Sequence, residues 1–122
     1  TGSDCESIIH AYEEWGDEFV HKLRGMYAFA LYDTRKRRVI LGRDRMGEKP
    51  LYLAERDGQI MFSSELRSLM AGGRVPFKLD HAAVNEFFHY LYVPEPKTPI
   101  EGIRKLNPTL QATGAACPKS LF

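Results

Sequence analysis

The sequence has little charge imbalance, little cysteine and no long apolar run, and each shortage argues against a class of function. Its 17 Lys and Arg are offset by 16 Asp and Glu, which leaves a formal charge of +1 over 122 residues. Without a basic excess, a nucleic-acid binder that works by neutralising phosphates is disfavoured. A polybasic membrane anchor is disfavoured for the same reason. No apolar run approaches the roughly 20 residues needed to span a bilayer, and no charged-then-apolar leader opens the chain. The two cysteines, Cys5 and Cys117, lie near opposite ends and form no disulfide framework. Two free thiols in a reducing, cytoplasmic setting are the better expectation. His10, His21, His81 and His89 are scattered, with no His-x-x-x-His or Cys-x-x-Cys pair, so no metal site is expected. Gly42 and Gly47 sit in a charged stretch, but no Gly-Lys-Ser/Thr follows to cradle a phosphate.

What is present is enough for a core. Apolar residues make up 43%, with seven Phe, six Tyr and one Trp, so a disordered chain is not expected. The first residue is Thr1, not Met, and a helix signal follows at once, which points to a fragment that begins inside a longer protein. Ser3-Asp4-Cys5-Glu6 reads as a capping box. Ile8, Tyr12, Trp15 and Phe19 follow at helical spacing, and Gly16 should end the helix. Asp17 is placed to cap a short second helix that stops at Gly25. Met26 to Tyr32 is seven residues without a charge, which predicts a strand buried on both faces. Arg38–Gly42 is the return strand, Leu51–Ala54 a third, and Gln59–Phe62 a fourth after an Asp57-Gly58 hairpin turn. Ser64 should cap a helix through Leu66, Leu69 and Met70, and Asp80 another carrying Ala83, Val84, Phe87, Phe88 and Leu91. Pro94, Pro96 and Pro99 cannot continue it. The succession predicts an α+β fold with an antiparallel sheet. From Asn107 the periodicity is lost, and 109–122 reads as an irregular tail.

Few residues offer chemistry. Cys5 falls in the first turn of a helix, a place that favours a thiolate. Its nearest base, His10, is five positions on and therefore about 140° round the helix. The flanking carboxylates Asp4 and Glu6 also oppose a thiolate, so a catalytic Cys5 is not expected. Asp4 has an ordinary role open to it as a first-turn capping charge. Because Ser3 already supplies the cap, Asp4 is free to face a cationic ligand group, although on the residues alone the capping role is the better expectation. Arg43-Asp44-Arg45 most simply anchors its loop to the sheet, and Ser63-Ser64-Glu65 most simply caps a helix.

Several stretches, in order, resemble one family. Thr1-Gly2-Ser3-Asp4-Cys5-Glu6 and Ala11-Tyr12-Glu13-Glu14-Trp15-Gly16 look like the class II glutamine amidotransferase domain of glutamine-hydrolysing asparagine synthetases. Leu23-Arg24-Gly25-Met26-Tyr27-Ala28-Phe29-Ala30 and Gly42-Arg43-Asp44-Arg45-Met46-Gly47-Glu48-Lys49-Pro50-Leu51-Tyr52 continue the likeness. Phe62-Ser63-Ser64-Glu65-Leu66, Leu79-Asp80, Tyr92-Val93-Pro94-Glu95-Pro96 and Gly102-Ile103-Arg104-Lys105-Leu106 complete it. The resemblance covers residues 1–108 as a partial amidotransferase domain and leaves 109–122 without a family match.

The resemblance implies a four-layer αββα sandwich of the N-terminal-nucleophile hydrolase type, with two antiparallel sheets between helices. In that family an N-terminal cysteine attacks the glutamine amide, with its own α-amino group as base. An Asn-Gly-Glu motif forms the oxyanion hole, and an arginine holds the substrate carboxylate. These groups belong before Thr1, so no catalytic residue is expected in this chain. The family's aspartate for the substrate α-ammonium falls on Asp4, which makes Asp4 the substrate-binding candidate. The implied partners are glutamine, the N-terminal part of the domain and a C-terminal synthetase domain; a homodimer is also open. ATP and magnesium would belong to that synthetase domain, where an aspartate receives the ammonia, and no cofactor is expected in the chain itself. The fragment alone should be inactive. The rival readings are another class II amidotransferase, of phosphoribosyl or hexosamine type, and a non-catalytic interaction module.

Overall fold

The computed structural model of the chain describes residues 2–108 and the backbone of 110–113. Helix α1 spans Asp4–Trp15. Ser3, in extended backbone, caps it by accepting the Cys5 N–H at 3.4 Å. Gly16 ends it with φ +55°, a conformation that suits a residue without Cβ. A 3₁₀ segment, Gly16–His21, follows and buries Phe19 completely. Two sheets come next. Strands β1 (Ala28–Asp33), β2 (Arg38–Arg43) and β6 (Leu110–Thr113) form one, with β2 in the centre. Strands β3 (Tyr52–Arg56), β4 (Gln59–Ser63) and β5 (Ile103–Lys105) form the other, with β3 in the centre. All pairings are antiparallel. Helices α2 (Leu66–Ala71) and α3 (His81–Tyr90) lie in the connection from β4 to β5.

The strand alternation divides the apolar residues between faces. Leu41 of the first sheet meets Leu51, Leu53 and Leu106 in one cluster, with Val39 and Ile60 against it, so the two sheets pack on each other. The next residue of β3, Ala54, points the other way and joins Leu69 of α2, Val75, Ile100 and Ile103 in a second cluster. On the first sheet, Phe29 faces away from Leu41 and packs on Phe19, with ring centres 5.6 Å apart. Phe29 pairs in register with Gly42, and a Cβ on Gly42 would stand 2.3 Å from its ring. The glycine therefore lets an aromatic ring lie flat against the neighbouring strand.

Several expectations need correction. The uncharged run predicted to be buried on both faces is an edge strand: Ala30 and Tyr32 of β1 are exposed, and Met26 before it is 64% exposed. The buried run belongs to β2 and its exit, from Ile40 to Asp44, because β2 has a neighbour on each side. The four strands do not follow one another in a single sheet; the chain changes sheets between β2 and β3. Asp17 does not cap a helix, since its carboxylate is engaged by Arg38. Ser64 does not cap α2 either; Glu65 holds that position and Ser63 Oγ accepts the Glu65 N–H. Within the span expected to be an irregular tail, Leu110–Thr113 pairs with β2. Cys117 and the rest of that tail lie outside the described residues.

Candidate functional site

Asp4 is the first residue of α1 and is exposed. Because the Ser3 hydroxyl takes the Cys5 amide, the Asp4 carboxylate is not needed for the cap. Among the described residues it has no partner. Cys5 is exposed beside it. His10 does not approach Cys5: its ring lies between Glu13, at 3.4 Å, and Glu6, at 3.9 Å. The pairing of nucleophile and base that a catalytic thiol needs is therefore missing here, as the helix geometry indicates. Among the described residues, no three His, Cys, Asp or Glu side chains gather as a metal would require.

The helix that carries Asp4 is tied to the first sheet by a polar network. The Tyr12 hydroxyl donates to Asp33 Oδ2 at 2.5 Å and accepts from Arg38 Nη2 at 3.0 Å. Arg38 also pairs bidentately with Asp17. The hydrogen bond from Arg38 holds the Asp17 carboxyl below the usual carboxylate range. The Lys36 amide, then the Tyr12 hydroxyl, do the same for Asp33.

Arg43 and Asp44 are not poised for a substrate. Arg43 is 4% exposed, and each of its five N–H donors is used. Nε donates to Lys49 O at 2.7 Å, Nη1 to Leu106 O at 2.8 Å and Nη2 to Gly47 O at 2.5 Å. The remaining two N–H groups grip Glu95 at 3.0 and 2.9 Å. Asp44 is 2% exposed and accepts the amides of Glu48 at 2.9 Å, Lys49 at 3.0 Å and Tyr27 at 3.3 Å. Burial pushes its carboxyl up, but the amides of Lys49, Glu48, Tyr27 and Met46 outweigh this and hold it low. Arg43 likewise holds Glu95 low. The anchoring role expected of this loop is the one observed, although the carboxylate that pairs with Arg43 is Glu95 and not the adjacent Asp44.

Glu95 and the Tyr12 network escape a reading by sequence alone. The one available signal for Glu95 is a lone carboxylate fixed between two prolines. Two surface cavities, of about 220 and 260 Å³, open around Arg56 and include neither Asp4 nor Arg43.

Comparisons with known proteins place the chain among relatives. A family model described as "Glutamine amidotransferase domain" matches residues 1–117. The chain is 40% identical over 110 residues to a protein of Mycobacterium tuberculosis named "Putative asparagine synthetase (glutamine-hydrolyzing)"; the match covers 88% of this chain and 17% of that protein. It is 53% identical over 70 residues to an asparagine synthetase (glutamine-hydrolyzing) of Zea mays, covering 57% of this chain and 12% of the relative. It is 48% identical over 71 residues to asparagine synthetase B (glutamine-hydrolyzing) of Escherichia coli, covering 57% and 13%. The chain thus spans less than a fifth of each of these relatives.

Proposed function

The chain belongs to the glutamine amidotransferase domain family, and from that premise we propose that it is the C-terminal portion of a glutamine-hydrolysing domain in an asparagine synthetase-like enzyme. The observation that carries the reading is the similarity to glutamine-hydrolysing asparagine synthetases along 88% of the chain. The packing supports the four-layer sandwich of that reading: α1 and the 3₁₀ segment lie over one sheet, the sheets share a core, and α2 lies over the other.

Asp4 takes the glutamine α-ammonium. It stands exposed at a helix start where Ser3 already satisfies the cap. A carboxylate there forms a charge-assisted hydrogen bond to the substrate. The nucleophilic cysteine, its α-amino base, the oxyanion donors and the carboxylate-binding arginine come from the segment preceding Thr1. The ammonia passes to a synthetase domain that uses ATP and magnesium to activate an aspartate. The isolated chain should release no ammonia from glutamine; release that a thiol-alkylating agent abolishes would revive Cys5 as a nucleophile.

The role of Asp4 is tested in the full-length enzyme with Asp4→Asn. The lost charge should cost about 1.5–3 kcal/mol, or roughly 10- to 150-fold in glutamine-dependent kcat/KM. The ammonia-dependent rate should hold. Equal losses with glutamine and ammonia, together with a lower melting temperature, would reduce Asp4 to a helix-capping charge.

A further inference from the structure

We propose that Tyr12 is a positioning residue for the glutamine site, fixing the tilt of α1 on the sheet and with it the place of the Asp4 carboxylate; this rests on the reading of Asp4 above. Helix α1 buries a single residue, Ala11. Ile8 and Tyr12 are half-buried beside it, and with so little of the helix fully buried its polar contacts to the sheet carry a share of its placement.

Tyr12 is engaged at both ends of its side chain. The ring meets the fully buried Phe19 edge-on, with centres 5.5 Å apart. The Lys36 ammonium lies 5.7 Å from the ring centre. The hydroxyl uses its donor on Asp33 of β1 and an acceptor site on Arg38 of β2. Neither partner is loose. Asp33 Oδ1 is held by the amides of Arg35 at 2.9 Å and Lys36 at 2.8 Å. Arg38 is clamped to Asp17 in the 3₁₀ segment. Its Nε–H is buried without a partner, so the guanidinium is held through its Nη groups.

Asp4 is eight residues before Tyr12, a lever of about 12 Å at the rise of an α-helix. A tilt of about 5° about Tyr12 moves the far end by about 1 Å, and a misplacement of that size can cost on the order of 100-fold. Removing the hydroxyl while keeping the ring leaves the Phe19 contact, so the expected loss is smaller than that limit.

The experiment measures Tyr12→Phe, Asp4→Asn and the double variant in the full-length enzyme, with glutamine and with ammonia as nitrogen source. Tyr12→Phe should raise the glutamine KM about 10-fold. Glutamine-dependent kcat and the ammonia-dependent rate should stay within about 2-fold. In the Asp4→Asn background the same change should add less than about 2-fold, because residues acting through one contact are not additive. Asp33→Asn, which keeps an oxygen for the Tyr12 hydroxyl but loses the charge, should give a smaller rise in the same direction. An unchanged KM, full additivity with Asp4→Asn, or equal loss in both reactions with a lower melting temperature would overturn the inference while Asp4 keeps its role. A silent Asp4→Asn would overturn both.

Discussion

Glu95→Ala tests whether the Arg43 hub holds the two sheets in register. The substitution removes both oxygens that face the Arg43 Nη groups, at 3.0 and 2.9 Å, and leaves the three bonds to backbone carbonyls in place. The Arg43 side chain is 2% exposed, whereas that of Glu95 is 37% exposed. Removing one partner of a fully buried pair costs about 3–5 kcal/mol, because the other charge is left uncompensated. Here water can enter from the Glu95 side and solvate part of the guanidinium, so the cost falls to about 2–4 kcal/mol. That is a large share of a small domain's stability. Arg43→Met should cost more, since it also strips hydrogen bonds from Lys49 O, Gly47 O and Leu106 O. The assay is urea unfolding followed by far-UV circular dichroism, with the slope checked for constancy. Hydrogen exchange at the Glu48 and Lys49 amides, which Asp44 holds, supplies a local readout. A Glu95→Ala midpoint equivalent to less than about 0.5 kcal/mol, the range of ordinary surface changes, would refute the argument.

Gly42→Ala should cost about 1–3 kcal/mol through overpacking, because the new Cβ would stand 2.3 Å from the Phe29 ring; an unchanged melting temperature would show that the ring moves aside freely. Asp44, Glu95, Asp17 and Asp33 are all held below their ordinary values. A lowered folded-state value stabilises above the unfolded value and is lost as pH falls, so stability should hold above about pH 5 and decline below about pH 4. A melting temperature constant down to pH 3 would contradict this. Phe77 and Phe88 are 72% and 75% exposed and Leu91 is 81% exposed, so the isolated chain should self-associate. A monomer by sedimentation at high concentration would count against it.

Local features were legible in the sequence, whereas long-range pairings were not. Ser3 and Gly16 bracket α1 because a cap hydroxyl and a positive-φ glycine act within a few residues. Asp80 is the cap of α3 for the same reason. The Asp57-Gly58 turn takes positive φ at both residues, as a tight hairpin demands. In contrast, β5 has three residues and β6 four, too few for an alternation to register. The charged segment after β2 announces a connection but does not say to which sheet it leads. The family resemblance implies two sheets, but the strand pattern alone does not separate them until the pairing of β3 with β5, about fifty residues away, is known. The position of Asp4 was legible because it depends on the cap alone. Its support was not, because the partners of Tyr12 lie 21 and 26 residues off.

The stretches that carry the family resemblance divide by what they do in the fold. Arg43-Asp44-Arg45-Met46-Gly47-Glu48-Lys49-Pro50 and Val93-Pro94-Glu95-Pro96 are far apart in sequence, yet they meet on one guanidinium. That guanidinium also reaches Leu106 at the end of β5, and the neighbouring Asp44 reaches the Tyr27 amide ahead of β1. Four segments are thus joined where the chain leaves one sheet and enters the other. A buried charge with every donor satisfied has no capacity left for a ligand, so these stretches specify architecture. The Ser3-Asp4-Cys5-Glu6 stretch is different in kind: it is exposed or half-buried, it closes a helix with a hydroxyl, and it leaves a carboxylate unspent. On the function proposed above, selection of the substrate rests there. Substitutions at Arg43 or Glu95 should lower stability without selecting between glutamine and ammonia, whereas those at Asp4 should do the reverse.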